Sequence, residues 1–416
     1  LNGQSIYYIN ISQDDFKLGG SSFHQVLNTI GNQAPDVTNS AFVKNTFNTI
    51  QELIKDGKIS AGHDVASGGL ITTLLEMCFA DVNLGADFDV TALSEEDSIK
   101  LLFAENAGIV FQADAAVETI LAENNIEFFT IGTANDSGKV TIKNNEDAFA
   151  FDVTEMRDVW YKTSYLLDQK QTANNLATDR FDNYKKQPLQ YTFPANYTGK
   201  LKDIVAASGV KKPKAAIIRE KGSNSEREMA NAMHLAGFDV KDIHMTDLIS
   251  GRENLEDIQF IGAVGGFSNS DVLGSAKGWA GAFLYNEKAN AALKNFFKRE
   301  DTLSVGICNG AQLLMELDLI NPEHKVHGKL GHNDSNKHES SFTSVKIQEN
   351  NSVMLSSLAG TELGVWISHG EGKFNLPEAE ANYNIVAKYG YEGYPNNPNG
   401  SDFNTAMLCD TTGRHL

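Results

Sequence analysis

The residues best suited to chemistry are a cysteine and its flanking glycines, in residues 306–310 (GICNG). An apolar run precedes them and a helical pattern follows, so the chain is expected to turn sharply from a strand into a helix at Cys308. The glycines permit that turn, and the start of a helix favours a thiolate. A free cysteine is most often a small buried apolar residue. In this strand-turn-helix context, the pattern instead predicts a nucleophile that attacks a carbonyl carbon.

A nucleophilic thiolate also needs hydrogen-bond donors for the oxyanion that forms when sulfur adds to a carbonyl. A second glycine loop, residues 265–268 (GGFS), follows another predicted strand. Loops at the carboxyl ends of parallel strands meet at one edge of the sheet. We therefore expect the backbone N–H of Gly266 or Phe267, together with that of Asn309, to form the oxyanion site. Taken alone, the GGFS loop fits a tight strand exit equally well.

The general base is harder to assign, because six histidines follow the cysteine: His324, His327, His332, His338, His369 and His415. Only His369, with Glu371 two residues later, has a spacing that suits a base and the group that orients it. The same segment also fits a glycine-rich strand or bulge whose imidazole and carboxylate face water, which is the interpretation we favour.

Two loops in the first third of the chain have features of phosphate sites. His63-Asp64 precedes Ser67-Gly68-Gly69, which places a carboxylate beside the start of a helix with Ser67 as its cap, and this suits phosphate with Mg²⁺. Residues 19–22 (GGSS) give a weaker signal of the same kind. One aspartate does not make a magnesium site, and a polar loop before a capped helix is the more common case.

The elements that would position these residues indicate an α/β protein of two or three domains, as a length of 416 residues suggests. Residues 1–153 alternate between strand and helix patterns and predict an α/β domain with an antiparallel component. Residues 154–212 predict a helix and a polar connector. In residues 213–416, strands predicted at 215–218, 240–243, 260–264 and 304–307 alternate with helices at 225–236 and 289–298. That alternation predicts a mostly parallel sheet.

The composition restricts the partners. The chain has 35 Lys and Arg against 54 Asp and Glu, a formal net charge of −19, which argues against nucleic acid and anionic membranes. Three widely spaced cysteines imply neither a disulfide framework nor a zinc site, and they fit a reducing cytoplasm. No apolar run is long enough to cross a bilayer.

Several segments, in order, resemble the phosphoribosylformylglycinamidine synthase family. In the second half they are residues 212–214 (KPK), 219–225 (REKGSNS), 244–248 (HMTDL), 265–268 (GGFS), 306–310 (GICNG), 368–372 (SHGEG) and 397–401 (NPNGS). These resemble the class I glutamine amidotransferase domain of the large single-chain enzymes. Residues 63–70 (HDVASGGL) and 102–108 (LFAENAG) resemble the last part of the synthetase region.

The resemblance implies a fold, substrates and roles for residues. The fold would be a synthetase-type α/β C-terminal domain followed by a flavodoxin-like glutaminase domain. Cys308 would release ammonia from glutamine through a thioester, with Gly266, Phe267 and Asn309 around the oxyanion. The rest of the synthetase chain would bind ATP or ADP with Mg²⁺, and it would use ATP to aminate formylglycinamide ribonucleotide. Asp64 matches a magnesium-binding position at a nucleotide site, and Ala66 stands where the family often has a serine near the nucleotide.

One departure from the family concerns the catalytic partners of the cysteine. The family's histidine and glutamate belong to a Pro-His-Pro-Glu-Arg segment after the final strand, and nothing here matches it. We therefore expect these partners to lie beyond Leu416 and this chain to hydrolyse glutamine poorly. Two alternatives stay open: another cysteine-dependent amidohydrolase on the same fold, or a non-catalytic nucleotide-binding scaffold for residues 1–153.

Overall fold

The computed structural model describes residues 3–186, 189–199 and 211–416, and it divides into two compact units. The first unit ends at Ser164 and the second begins at Tyr165. The connector predicted over residues 154–212 includes residues 187–188 and 200–210, which lie outside the described residues. The three-part domain division stays a prediction.

The first unit is built on a seven-stranded sheet in its described residues. Its strands are β1 (Ser5–Asn10), β2 (Ile59–Val65), β3 (Gly85–Asp89), β4 (Gly108–Ala113), β5 (Phe129–Asn135), β6 (Lys139–Asn144) and β7 (Asp147–Asp152). Its helices are α1 (Ser22–Val26), α2 (Ser40–Lys55), α3 (Gly69–Glu76), α4 (Ser98–Phe103), α5 (Ala116–Glu123) and the beginning of α6 (Val153–Asp168). The strand order is β2-β4-β1-β5-β3-β6-β7, and only β3 and β6 pair in parallel.

The central strand β1 shows why this sheet is covered on both faces. Side chains alternate across a strand, and here Ile6 and Tyr8 enter one apolar core while Tyr7 and Ile9 enter another. All four are buried. The aromatic and β-branched run at the start of the chain is therefore a fully buried strand, and the predicted antiparallel component is confirmed.

The second unit combines a parallel and an antiparallel sheet. Its strands are β8 (Lys214–Arg219), β9 (Asp239–His244), β10 (Phe260–Ala263), β11 (Leu303–Gly306), β12 (Lys329–Gly331), β13 (Glu339–Ile347), β14 (Glu362–His369), β15 (Lys373–Asn375), β16 (Asn384–Tyr389) and β17 (Thr405–Cys409). Its remaining helices are α7 (Leu176–Asn183), α8 (Glu226–Leu235), α9 (Met245–Ser250), α10 (Lys277–Leu284), α11 (Glu287–Lys298) and α12 (Asn309–Glu316).

The parallel sheet has the order β11-β10-β8-β9, which confirms the predicted α/β glutaminase fold class. His415 pairs in parallel with Ser304 along the other side of β11. The antiparallel sheet has the order β14-β13-β16-β17, and β12 pairs with β15. Because β10 and β11 are in register from Phe260↔Leu303 to Ala263↔Gly306, the loops that follow them begin side by side.

Helices α10 and α11 supply the largest buried side chains of this unit. Trp279, Phe283 and Phe296 are each at most 1% exposed and belong to the core that also contains the parallel strands. Along α11 the buried residues recur every three or four positions, as an amphipathic helix requires. The side chain of Asn286 accepts the N–H of Ala289 and so begins α11.

Candidate active site

Cys308 occupies a sharp turn between β11 and α12. Its backbone angles, φ 55° and ψ −111°, are rarely adopted by a residue with a side chain. The flanking glycines permit close backbone approaches. A Cβ on Gly306 would lie 2.6 Å from the carbonyl oxygen of Gly310, and one on Gly310 would lie 2.0 Å from that of Ala263. The local geometry is that of the predicted nucleophile elbow.

Two backbone donors face the thiol. The backbone N–H groups of Gly266 and Asn309 lower the pKa of the Cys308 thiol, so both lie on the side of the sulfur. The N–H of Phe267 instead donates to the carbonyl oxygen of Gly222 at 3.0 Å, so it is not available to an oxyanion. Of the two donors considered in the GGFS loop, the structure places Gly266 beside the sulfur. The exposed ring of Phe267 is left on the rim of the site.

Opposing influences set the acidity of the thiol. Burial raises the pKa of Cys308, the hydrogen bonds from Gly266 and Asn309 lower it, and the negative charge of Asp271 raises it further, so the pKa lies above its usual value. The thiol is therefore mainly protonated at neutral pH. An attacking thiolate requires a base, or a change in the local charge.

Side-chain hydrogen bonds join three loops around the sulfur. Oδ1 of Asn309 accepts the N–H of Ser268 at 3.1 Å, and Nδ2 of Asn309 donates to Oε1 of Gln312 at 2.7 Å. Nε2 of Gln312 donates in turn to the carbonyl oxygen of Glu371 at 2.7 Å. The loops after β10, β11 and β14 are thus fixed to one another. Asn309, which follows the cysteine, links the loop after β10 to the first turn of α12.

No imidazole in the described part of the chain hydrogen-bonds to the sulfur of Cys308; the thiol contacts the carbonyl oxygen of Ser368, at 4.0 Å. Nδ1 of His369 lies 2.8 Å from Nδ2 of Asn399. The carboxylate of Glu371 accepts from the N–H and hydroxyl of Ser275, at 2.5 and 2.8 Å. His369 and Glu371 therefore have separate partners and do not form a catalytic pair.

Burial also keeps two histidines neutral. It lowers the pKa of His369 to about 4 and that of His415 to about 4. Nδ1 of His415 lies 2.9 Å from Oγ of Ser304 within the sheet, and its ring packs against Phe297. His415 is thus a core residue of the second unit.

Asp271 was not among the residues singled out from the sequence. It ends a run, residues 269–271, in which three non-glycine residues have positive φ, of 54°, 57° and 51°. Such strained backbone is concentrated at functional sites. Burial and the charge of Glu371 raise the pKa of Asp271, and its Oδ1 is buried without a hydrogen-bond partner. The only sequence signal was the turn-forming composition of Ser-Asn-Ser-Asp.

The predicted metal site in the first unit is incomplete in the described residues. Asp64 lies on β2 with a side chain 79% exposed. Nε2 of the adjacent His63 lies 3.0 Å from Oε2 of Glu76. No group of three or more His, Cys, Asp or Glu within residues 3–186, 189–199 and 211–416 could hold a metal ion. Asp64 alone therefore does not fit Mg²⁺. Ala66 is exposed in the loop that follows.

The glycine loops of the first unit do not present the expected phosphate donors. The N–H groups of Ser22 and Gly68 both donate to Oε1 of Glu105, at 2.8 Å each. Those of Gly19 and Gly20 donate to backbone carbonyls within residues 19–33. The prediction that Ser67 caps the following helix was wrong, because Gly68, in a left-handed conformation, precedes α3 without a side-chain cap. An internal carboxylate takes the place expected for phosphate.

Comparison with known proteins gives matches to both halves of the chain. Residues 212–416 match the CobB/CobQ-like glutamine amidotransferase domain, and residues 2–144 match the C-terminal domain of AIR synthase related proteins. A probable phosphoribosylformylglycinamidine synthase of Arabidopsis thaliana, described as chloroplastic/mitochondrial, is 36% identical over 99% of this chain and 31% of its own length. The phosphoribosylformylglycinamidine synthase of Homo sapiens is 35% identical over 99% of this chain and 33% of its own length.

The chain therefore spans about a third of the length of the curated relatives it matches. Among solved structures, that of PurLQS from Thermotoga maritima is 26% identical and covers 49% of this chain and 85% of its own, with a TM-score of 0.40. A superposition of that quality adds nothing to the sequence matches. Among the described helices, none is both long and apolar enough to span a membrane.

Proposed function

Since the chain belongs to the phosphoribosylformylglycinamidine synthase family, we propose that its second unit hydrolyses glutamine at Cys308 and supplies ammonia to a synthetase. The observation that carries the proposal is a cysteine in a strained turn, with φ 55° and ψ −111°, beside a GGFS loop that the Ser268–Asn309 hydrogen bond holds in place.

The chemistry follows from this arrangement. The sulfur of Cys308 attacks the carboxamide carbon of glutamine, and the resulting oxyanion accepts hydrogen bonds from Gly266 and Asn309. The carbon–nitrogen bond breaks, the nitrogen takes up a proton and leaves as ammonia, and a thioester to Cys308 remains. Water then attacks the thioester, releasing glutamate and the thiol. Because Asn309 is fixed by Ser268 and Gln312, its donor needs no reorganisation.

The general base for these steps is proposed to come from outside the described histidines. The backbone at Leu416 runs beside β11, where its carbonyl oxygen accepts the N–H of Gly306 at 2.9 Å, two residues before Cys308. No described segment matches the family's Pro-His-Pro-Glu-Arg histidine and glutamate. A cysteine without this base loses about 100-fold or more in rate.

A labelling experiment tests the proposed glutaminase site. The 416-residue chain is treated with a glutamine-like electrophile, and with peptide and ester analogues, and the modified cysteine is identified by mass spectrometry. We expect the glutamine analogue to label Cys308. Cys78 and Cys409 are internal controls, because both are buried and burial raises the pKa of Cys78 to about 11 and that of Cys409 to about 12.

Three outcomes decide the proposal. Labelling by peptide or ester analogues, but not by the glutamine analogue, would identify another cysteine-dependent amidohydrolase. If Cys308→Ala still hydrolyses glutamine, Cys308 is not the nucleophile. Glutamine hydrolysis by this chain at the rate of a complete synthase would show that the base lies within residues 1–416.

The reaction of the whole enzyme is proposed from the relatives. In it, ATP activates the amide oxygen of formylglycinamide ribonucleotide, and ammonia from the second unit displaces phosphate to give the amidine. The first unit and the remainder of the synthetase would form that site, so glutamine and the ribonucleotide are the proposed substrates. A cytoplasmic location is proposed as well, which suits the three unpaired cysteines.

Nucleotide binding by the first unit is a separate proposal, supported by the exposed carboxylate of Asp64 beside the loop at Ala66. Because the described residues do not complete a magnesium site, we assign the ion no step in the reaction. Calorimetric titration of wild type and Asp64→Ala with ADP and Mg²⁺ tests it, and heat that is smaller in Asp64→Ala would support nucleotide binding at this loop. The absence of heat for both proteins would favour a non-catalytic scaffold role.

A further inference from the structure

The helices that precede the amidotransferase match carry a partly buried network of ion pairs. Nη1 of Arg180, on α7, lies 2.7 Å from Oδ2 of Asp168, and its Nη2 lies 2.8 Å from Oε2 of Glu339. Lys337 pairs with the other oxygen of Asp168. Both Asp168 and Arg180 precede residue 212, where the match begins. The network therefore joins α6 and α7 to strand β13 of the second unit.

The burial of Glu339 makes this geometry specific. Its side chain is 2% exposed. Its Oε1 accepts the hydroxyl of Tyr394 at 3.1 Å, and the guanidinium of Arg180 lies over the ring of Tyr394. A buried carboxylate without a cation is costly, and a guanidinium holds its partners in a fixed fork. Arg180 therefore fixes both the position and the direction of the segment at the start of β13.

That segment forms one wall of the Cys308 site. Nε2 of His338 lies 2.9 Å from Oγ of Ser368, and the carbonyl oxygen of Ser368 lies 4.0 Å from the sulfur of Cys308. The side chain of Asn333 donates to the carbonyl oxygens of Lys337 and His369, at 2.9 and 2.8 Å. A displacement of residues 337–339 would thus move the strand end that faces the nucleophile.

Backbone contacts between the same segments support the coupling. The N–H of Ala173, between α6 and α7, donates to the carbonyl oxygen of Ser335 at 2.9 Å. Nδ2 of Asn174 donates to the carbonyl oxygen of Asp334 at 2.7 Å. Residues 168–180 are therefore docked on the loop that leads into β13, although the sequence predicted a polar connector there.

We propose that Arg180 is a positioning residue of the glutaminase site, which through Asp168 and Glu339 holds residues 337–339 and the end of β14 in the shape that accepts glutamine. The proposal rests on the proposed glutaminase function. It extends the functional unit to helices outside the amidotransferase match. In this proposal Arg180 does not contact the reacting atoms. Substitution of Arg180 must therefore weaken the recognition of glutamine and leave the intrinsic reactivity of the Cys308 thiol unchanged.

The test compares two alkylating reagents on the whole chain. The rate of Cys308 labelling is measured against the concentration of a glutamine-like chloroketone, and separately with iodoacetamide, for wild type, Arg180→Ala and Arg180→Lys. A displaced wall is expected to lower the efficiency of labelling by the chloroketone about 10- to 100-fold in Arg180→Ala. Most of the loss should appear as a higher chloroketone concentration at half-maximal labelling rate, and less of it as a lower maximal rate. Iodoacetamide labelling should stay within about twofold of wild type, and Arg180→Lys should recover part of the loss.

Arg299→Ala is the matched control. It removes another arginine–aspartate pair from the same unit, with Asp301, before the amino end of β11. It is expected to label like wild type. If Arg180→Ala does not fold, as judged by its thermal transition, Asp168→Asn decides, because it breaks the same network and leaves Glu339 paired with Arg180.

The outcomes separate the two proposals. Equal chloroketone labelling in wild type and the folded network variants would overturn the role of Arg180. A parallel loss with both reagents would do the same, because it would indicate a general structural effect. Wild-type Cys308 that does not prefer the glutamine-like reagent would overturn the glutaminase function and, with it, the positioning role.

Discussion

At Cys308 the protein holds a strained thiol in the protonated state, while the proposed oxyanion donors already lie beside it. Burial and Asp271 raise the pKa, and the N–H groups of Gly266 and Asn309 oppose them without prevailing. The same two donors would stabilise an oxyanion once a thiolate forms. The residues around the sulfur are thus arranged for the transition state more than for a resting thiolate.

Asp271→Asn should make the thiol of Cys308 more acidic, because it removes a negative charge that raises its pKa. We expect the midpoint of the pH dependence of iodoacetamide labelling to move to lower pH. Asp301→Asn is the control, since it removes the same charge at an exposed site paired with Arg299. An unchanged or higher midpoint in Asp271→Asn would contradict the assigned electrostatic effect.

Among the elements, the β11–α12 turn requires direct backbone contacts, between Gly306 and Gly310 and between Gly310 and Ala263, that leave no room for a side chain. The helix start packs against β10 at Gly310, beside the carbonyl oxygen of Ala263. Gly306 and Gly310 also face each other across the turn. The two glycines therefore fix how closely α12, and with it Asn309, approaches the parallel sheet.

Gly310→Ala should strongly destabilise the second unit, because its Cβ would lie 2.0 Å from a backbone oxygen that cannot move aside cheaply. A loss of about 3 kcal/mol in the free energy of unfolding is expected from such overpacking. Gly281→Ala, within α10, is the control, because its nearest neighbour would be 3.8 Å away and helix propensity favours alanine by about 1 kcal/mol. Urea titrations that rank the two variants equally would disprove the close packing.

The elements were predictable from the sequence where local pattern decides them. The strands around Phe260 and Ser304 and the helix at α11 were predicted within about two residues. The strand-end rule predicted that the GGFS loop and the Cys308 turn begin side by side. Contacts between distant segments carry no local signal. The use of the Gly68 N–H by Glu105, and the pairing of Arg180 with Glu339, therefore emerged only from the fold.

For the molecule as a whole, each of the two units has an apolar core of its own. One core contains Leu74 and Leu101 of the first unit, and another contains Trp279 and Phe296 of the second. The sequence matches divide along similar lines, at residues 2–144 and 212–416. Global stability is therefore a property of each unit, and a measurement must report on one of them to be interpreted.

The second unit should lose stability as the pH falls from about 6.5 to about 4, because His415 is 3% exposed. Burial lowers its pKa from 6.5 to about 4, with Asp410 raising it and Arg414 lowering it. In this window the unfolded chain binds a proton that the folded unit does not, so folding becomes less favourable with each step down. The contribution of His415 is about 3 kcal/mol, complete near pH 4 and absent above the unfolded pKa, and His369, whose pKa burial also lowers to about 4, acts in the same direction.

His415→Gln should reduce this pH dependence, since glutamine does not titrate and only the contribution of His369 then remains. Urea unfolding of both proteins between pH 4.5 and 7.5, followed by the fluorescence of the fully buried Trp279, measures it within the second unit. The variant is expected to be less stable at pH 7.5, where the packing of the imidazole on Phe297 and its contact with Ser304 are lost. The two proteins should then converge as the pH approaches 4.5. Parallel stability curves across the whole range would mean that His415 binds its proton equally in the folded and unfolded states.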